Sequence, residues 1–321
     1  MAVVSDRIDE SPSTQPGTHA RAAGVWSPVL VPLRDDLGID TQRFLTHAHW
    51  LLREGCHGLA LFGTTSEATS FSVDERKSAL EAVLAGGIEP QSVMIGVGCA
   101  ALTDSVELTR HAVAAGVRRL LMLPPFYYKG VSDEGLHRSY ATTLDRGASN
   151  DCELYFYHFP KLSGVPITHG LISRLRASHG DLVAGLKDSS GDWEHTRSLI
   201  EAFPDLAIFP GSESFLLRGL RAGGAGCITA SANVNPAAIR GVYDAWRADA
   251  GDVDARDEAI RATRTAIEAH AMVSALKHIT AHFRNDPAWR RTRPPLTELD
   301  ARDGAALLES LATLGFAANY D

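Results

Sequence analysis

Five lysines stand among many arginines in this chain: Lys77, Lys129, Lys161, Lys187 and Lys277. Only Lys187 ends a continuous apolar run of strand length, Leu182-Val183-Ala184-Gly185-Leu186. Behind it, Asp188-Ser189-Ser190-Gly191-Asp192 reads as a turn and the N-cap of a helix. An ammonium group held against apolar walls is poorly hydrated, so burial favours the neutral amine, which can attack a carbonyl carbon and form a Schiff base. The same stretch also suits a lysine whose head snorkels from a strand end to solvent.

Tyr157 closes another apolar run, Glu153-Leu154-Tyr155-Phe156-Tyr157, thirty positions before Lys187. That is about the length of one βα unit, so the phenol and the amine can meet at neighbouring strand ends. A phenol there can pass protons to and from a carbinolamine and the hydroxyl of a cleaved bond. His158 follows directly, but alternation along a strand turns it to the opposite face. Gly63-Thr64-Thr65-Ser66-Glu67 follows a third apolar run and offers hydroxyls, N–H donors and a close backbone approach, a set suited to a carboxylate. An ordinary Gly/Ser/Thr loop has the same composition. Pro124-Pro125-Phe126-Tyr127-Tyr128 is an aromatic loop of the kind used for packing or interfaces. His278 and His282 are spaced i, i+4 without an acidic companion, which suits a packed or solvated helix face better than a metal site.

These residues need a scaffold that brings strand ends together. Eight short apolar runs supply one, beginning near Gly24, His57, Ser92, Arg119, Glu153, Leu182, Leu206 and Gly226, with helical patterns between them. A helical pattern follows Asp40, and Ser72-Val73-Asp74-Glu75 is a capping box. Alternation of this kind predicts parallel βα units, and eight of them predict an α/β TIM (β/α)8 barrel whose site lies at the C-terminal strand ends. An open doubly wound sheet is the alternative, but no GxGxxG follows the first run. Residues 1–23, rich in Ser, Pro and charge, are expected to be a disordered or arm-like tail. Residues 24–236 form the expected catalytic barrel and 237–321 a C-terminal helical extension.

The net charge of -8 argues against general affinity for nucleic acid or anionic membranes. Cys56, Cys99, Cys152 and Cys227 are widely spaced and make no zinc or redox motif. With no apolar run of membrane-helix length and no signal-peptide pattern, a cytoplasmic protein is expected.

Together, Gly63-Thr64-Thr65-Ser66-Glu67, Pro125-Phe126-Tyr127, Tyr157-x-x-Pro160-x-x-Ser163-Gly164, Gly185-Leu186-Lys187-Asp188-Ser189-Ser190-Gly191 and Arg293-Pro294-Pro295-Leu296 resemble the dihydrodipicolinate synthase and N-acetylneuraminate lyase family of class I aldolases. The resemblance spans about Val25 to Phe316. It implies a barrel with a helical extension, a homotetramer built from tight dimers, and no metal or organic cofactor beyond the covalent imine on Lys187. By resemblance, Lys187 forms that imine with pyruvate or another 2-oxo acid, and Tyr157 relays protons. Thr64 and Thr65 hold the keto-acid carboxylate and continue the relay, Tyr127 reaches into the neighbouring subunit's site, and Ile228 lines the pyruvate pocket. Three departures bear on the substrate. Leu162 stands where the synthase branch has a carboxylate-binding arginine, Ser66 replaces a glycine, and His158 replaces an asparagine.

The expected activity is thus a pyruvate-dependent aldolase or lyase joining or parting a 2-oxo acid and an aldehyde, on the sugar-acid aldolase side of the family. 4-Hydroxy-tetrahydrodipicolinate synthase, a hydratase using the same imine, and a non-catalytic keto-acid-binding protein are the alternatives.

Overall fold

The computed structural model describes residues 21–320. Strands and helices alternate as β1 (Gly24–Pro28), α1 (Thr41–Arg53), β2 (Gly58–Leu61), α2 (Val73–Ala85), β3 (Val93–Gly96), α3 (Leu102–Ala114), β4 (Arg119–Met122), α4 (Asp133–Gly147) and β5 (Glu153–His158). The one-turn α5 (Pro160–Ser163) and α6 (His169–His179) lead to β6 (Val183–Asp188), α7 (Trp193–Ala202), β7 (Ala207–Pro210), α8 (Leu216–Arg221) and β8 (Gly226–Ile228). Four helices follow: α9 (Pro236–Arg247), α10 (Val253–Glu268), α11 (Met272–Phe283) and α12 (Ala301–Thr313).

All strand pairs are parallel, in the order β7-β6-β5-β4-β3-β2-β1-β8. β8 pairs with β1, and the Ala225 N–H donates to the Ile208 carbonyl at 2.9 Å across the seam between β7 and β8. The sheet therefore closes into the expected TIM barrel. Each of the eight apolar runs contains one strand, because strands covered on both faces must be apolar throughout.

Side chains alternate between two cores. Trp26, Met94, Leu121, Tyr155, Phe209 and Ile228 fill the barrel interior, whereas Val25, Leu59, Leu120, Phe156 and Leu186 pack outward against the helices. Gly185 makes room for the Tyr155 ring, since a Cβ there would lie 2.8 Å from it and 2.2 Å from the Ala207 carbonyl oxygen. At the helix starts, Ser72 and Glu75 form the anticipated capping box, and Asp40 and Asp192 accept backbone N–H groups of the first turns of α1 and α7.

Two differences from the sequence reading have physical causes. α9, grouped above with the extension, packs in the outer barrel core: Ile239, Val242 and Tyr243 join the cluster containing Val25 and Leu59. The separate core of the extension is built from α11, α12 and the loop between them, around Leu276, Ile279, Trp289 and Leu307. The tail reading falls mostly on residues 1–20, outside the described residues. Of its last three residues, Ala22 is buried and its N–H donates to the Tyr155 hydroxyl at the bottom of the barrel.

Candidate active site

Parallel pairing of β5 and β6 puts Tyr157 opposite Lys187, and β6–β7 pairing puts Phe209 on the other side. All three point into the barrel. Lys187 is 4% exposed, and its Nζ lies 4.4 Å from the centre of the Tyr157 ring. Burial against a ring face suits a cation or an amine, and among the described residues no carboxylate pairs with this one. Another buried lysine, Lys277, makes the contrast: its Nζ donates to the carboxylate of Glu67, tying α11 of the extension to the turn after β2. Sequence patterning did not single out Lys277, because it sits within a helix rather than after an apolar strand.

The Tyr157 hydroxyl is 3.0 Å from Thr64 Oγ1, a hydrogen bond that joins the ends of β5 and β2. Of the two threonines the sequence reading placed after Tyr157 in the relay, Thr64 is the one whose hydroxyl meets Tyr157. Thr65 is buried one residue on. A Cβ on Gly63 would meet no atom within 4 Å, so open space lies beside this turn. Ile228 is fully buried in the same inner cluster as Tyr157 and Phe209. Tyr127 does not join the group within this chain: it is 75% exposed, and its ring neighbour is Tyr128. Leu162, on α5 beyond β5, is 63% exposed and brings no cation to the position.

The strand alternation that turns Lys187 and Tyr157 inward turns Asp188 and His158 outward, into the helix layer. Asp188 accepts from Thr196 Oγ1 at 2.7 Å, Ser190 N–H at 2.9 Å and His195 Nδ1 at 3.0 Å. Burial alone would raise its pKa, but these three donors, His195 foremost, hold it below the ordinary carboxylate value. In turn the Asp188 hydrogen bond raises the pKa of His195. His158 stacks on His195 with ring centres 4.3 Å apart, and burial brings its pKa down to about 4.

His158, Asp188 and His195 are close enough to suggest a metal site, but their hydrogen bonds do not suit one. The Ile167 N–H donates to His158 Nδ1 at 3.0 Å, which places the ring proton on Nε2, and His195 Nδ1 is taken up by its bond to Asp188, so His158 has no free lone pair for a metal. The group instead pins the turn after the Lys187 strand: the Asp188 carboxylate accepts the Ser190 N–H, the Thr196 hydroxyl and His195, tying β6 to the start of α7. The sequence reading missed His195, which lies in a helix seven residues beyond Asp188 and meets it only through the turn.

A buried lysine over a tyrosine ring, with that tyrosine's hydroxyl bonded to a threonine, lies at the C-terminal mouth of a (β/α)8 barrel, the face where barrel enzymes carry their sites. Comparison with known proteins narrows this. The model of the dihydrodipicolinate synthetase family matches residues 21–313. A DapA-like lyase of Chloroflexus aurantiacus is 39% identical over 289 residues, 90% of this chain and 95% of the relative. A probable 2-dehydro-3-deoxy-D-pentonate aldolase of Escherichia coli, YjhH, is 32% identical over 70% of this chain and 74% of its own length. The crystal structure of dihydrodipicolinate synthase from Agrobacterium tumefaciens superposes with a TM-score of 0.83 at 31% identity, covering 91% of this chain and 99% of that one. The chain belongs to the dihydrodipicolinate synthetase family and is a lyase of that family. Among the described residues no helix is long and apolar enough to cross a membrane.

Proposed function

We propose that this lyase is a class I aldolase that forms a Schiff base between Lys187 and a 2-oxo acid, pyruvate in the simplest case. Lys187 Nζ attacks the keto carbon, the carbinolamine loses water, and the resulting imine accepts electrons as a proton leaves the adjacent carbon. The enamine then adds to an aldehyde, or in reverse is released by cleavage of that C–C bond. Tyr157, hydrogen-bonded to Thr64, carries protons between the carbinolamine, the leaving water and the new hydroxyl. Thr64 and Thr65 hold the keto-acid carboxylate beside Gly63, and Ile228 walls the pocket. No metal or organic cofactor takes part.

The observation that carries this reading is the buried Lys187 Nζ over the Tyr157 ring, with the Tyr157 hydroxyl bonded to Thr64. Leu162 favours the sugar-acid aldolase and lyase-like branch, since an apolar side chain there cannot make the bidentate bond of a guanidinium to an acidic aldehyde. The second reading, 4-hydroxy-tetrahydrodipicolinate synthase, has the synthase of Agrobacterium tumefaciens in its favour. By resemblance, the enzyme acts as a homotetramer in which Tyr127 of one subunit enters the site of its neighbour.

Borohydride reduction in the presence of pyruvate, followed by intact-mass and peptide analysis, tests the imine. The expected result is one stable adduct on Lys187, absent from Lys187→Ala; an adduct that persists in Lys187→Ala overturns the assignment. Sugar aldehydes and aspartate semialdehyde, each assayed with pyruvate, then separate the two branches.

A further inference from the structure

The turn that carries the two threonines is held by the C-terminal extension, outside the barrel. Within the turn, the Glu67 N–H donates to the Thr64 carbonyl at 3.0 Å, the Ala68 N–H to the Gly63 carbonyl at 3.2 Å, and Ser66 Oγ to the Val29 carbonyl at 2.6 Å. Glu67 takes a left-handed backbone conformation, φ 56° and ψ 33°, which residues other than glycine rarely adopt. Its side chain is fully buried. One carboxylate oxygen receives the Lys277 ammonium group from α11, and the other receives the Arg293 N–H at 2.8 Å.

Lys277 Nζ also donates to the Arg291 carbonyl at 2.6 Å, and Arg293 Nη1 to the Ser70 carbonyl at 2.7 Å. The segment from Arg291 to Arg293 is thereby tied to both sides of the turn. Burying an ion pair is costly, and breaking one leaves an unpaired buried charge; such a pair holds register more than it adds stability. Here the register it holds is that of the residues two and three before Glu67, Thr65 and Thr64.

We propose that Glu67 and Lys277 are positioning residues, and that through them the extension sets the Thr64 and Thr65 hydroxyls where the keto acid binds. This rests on the Schiff-base reading above. Neither residue touches the substrate; each acts through the turn.

Half-saturation of borohydride trapping with pyruvate, read by intact mass well below each variant's Tm, tests the proposal on the full chain. Glu67→Gln keeps the shape but puts an amide N–H against a donor, and Lys277→Met keeps the length but removes the donor. Both are expected to be labelled on Lys187 at saturating pyruvate, with half-saturation raised by about tenfold or more, because small misplacements of binding groups are amplified at a site. In a Thr65→Val background, where one of the positioned hydroxyls is already gone, Lys277→Met should add less than about threefold. A merely structural pair would lower Tm and leave half-saturation unchanged.

Folded Glu67→Gln and Lys277→Met proteins that both half-saturate within about twofold of the parent overturn the proposal, since that is smaller than the effect of a displaced contact. If the single variants do not fold, the double variant Glu67→Gln/Lys277→Met, which buries no net charge, is read by the same criterion. Failure of the parent protein itself to be labelled overturns the Schiff-base reading and this one with it, whereas a labelled parent with unshifted variants overturns only the positioning role.

Discussion

Replacing Tyr157 by Phe separates chemistry from architecture at this site. The ring stays, so the apolar packing inside the barrel and the face presented to Lys187 at 4.4 Å are preserved. What is lost is a single hydroxyl and its bond to Thr64. A hydrogen bond between neutral groups contributes about 1 kcal/mol net, so stability should fall by no more than about that amount. Loss of a positioned proton carrier typically costs about 100-fold to 10,000-fold in rate, or about 3 to 5 kcal/mol of barrier. The catalytic effect is therefore expected to exceed the structural one several-fold. Urea titration gives the first quantity, and steady-state aldol cleavage or condensation with pyruvate gives the second. Borohydride should still trap the keto acid on Lys187 at long times, because the amine remains. A Tyr157→Phe enzyme that keeps kcat within about threefold of the parent would refute the relay, since that lies far below the usual contribution of an acid–base group.

Other consequences follow from the same geometry. A histidine held at about 4 in the fold binds its proton more readily when unfolded, near 6.5, so its contribution to stability is lost as pH falls through that interval. For His158 this amounts to about 2 kcal/mol between about pH 7 and about pH 5. His158→Asn should lose correspondingly less stability over that range in urea titrations. His47, lowered by burial to about 3, adds a similar acid sensitivity that the variant retains. His195, raised by Asp188, has the opposite sign: its contribution is complete below its unfolded pKa and declines as pH rises through its folded value. An acid transition unchanged by His158→Asn would refute the assignment. Two glycines make a paired test. A Cβ on Gly98 would lie 2.4 Å from the backbone N and O of Leu123, which cannot give way, so Gly98→Ala should cost about 2 kcal/mol or more. Gly63→Ala meets nothing, so its Tm should hold while half-saturation by pyruvate rises; unaltered half-saturation would move the carboxylate elsewhere.

Much of this protein could be read without coordinates, and for definite reasons. Barrel strands are covered on both faces, so each of the eight announces itself as an unbroken apolar run, and a polar group at the end of such a run stands out. Lys187 and Tyr157 were visible for that cause, and strand alternation was enough to send His158 to the other side. Local chemistry also marked the helix starts at Asp40, Ser72 and Asp192, where the cap acts within a few residues of itself.

Other features depend on contacts between distant positions, which no local pattern encodes. Thr64 rather than Thr65 meets the phenol because of how the β2 and β5 ends converge, 93 positions apart. α9 belongs to the barrel because it packs on the same core as β1, although its sequence looks like the helices after it. Glu67 and Lys277 are separated by 210 positions, and each alone is an ordinary charged residue. The sequence by itself determined the strands and which polar side chains close them. Only the tertiary structure decided which hydroxyl faces the phenol and what holds the threonine turn in place, since burial and pairing arise only once the chain has closed on itself.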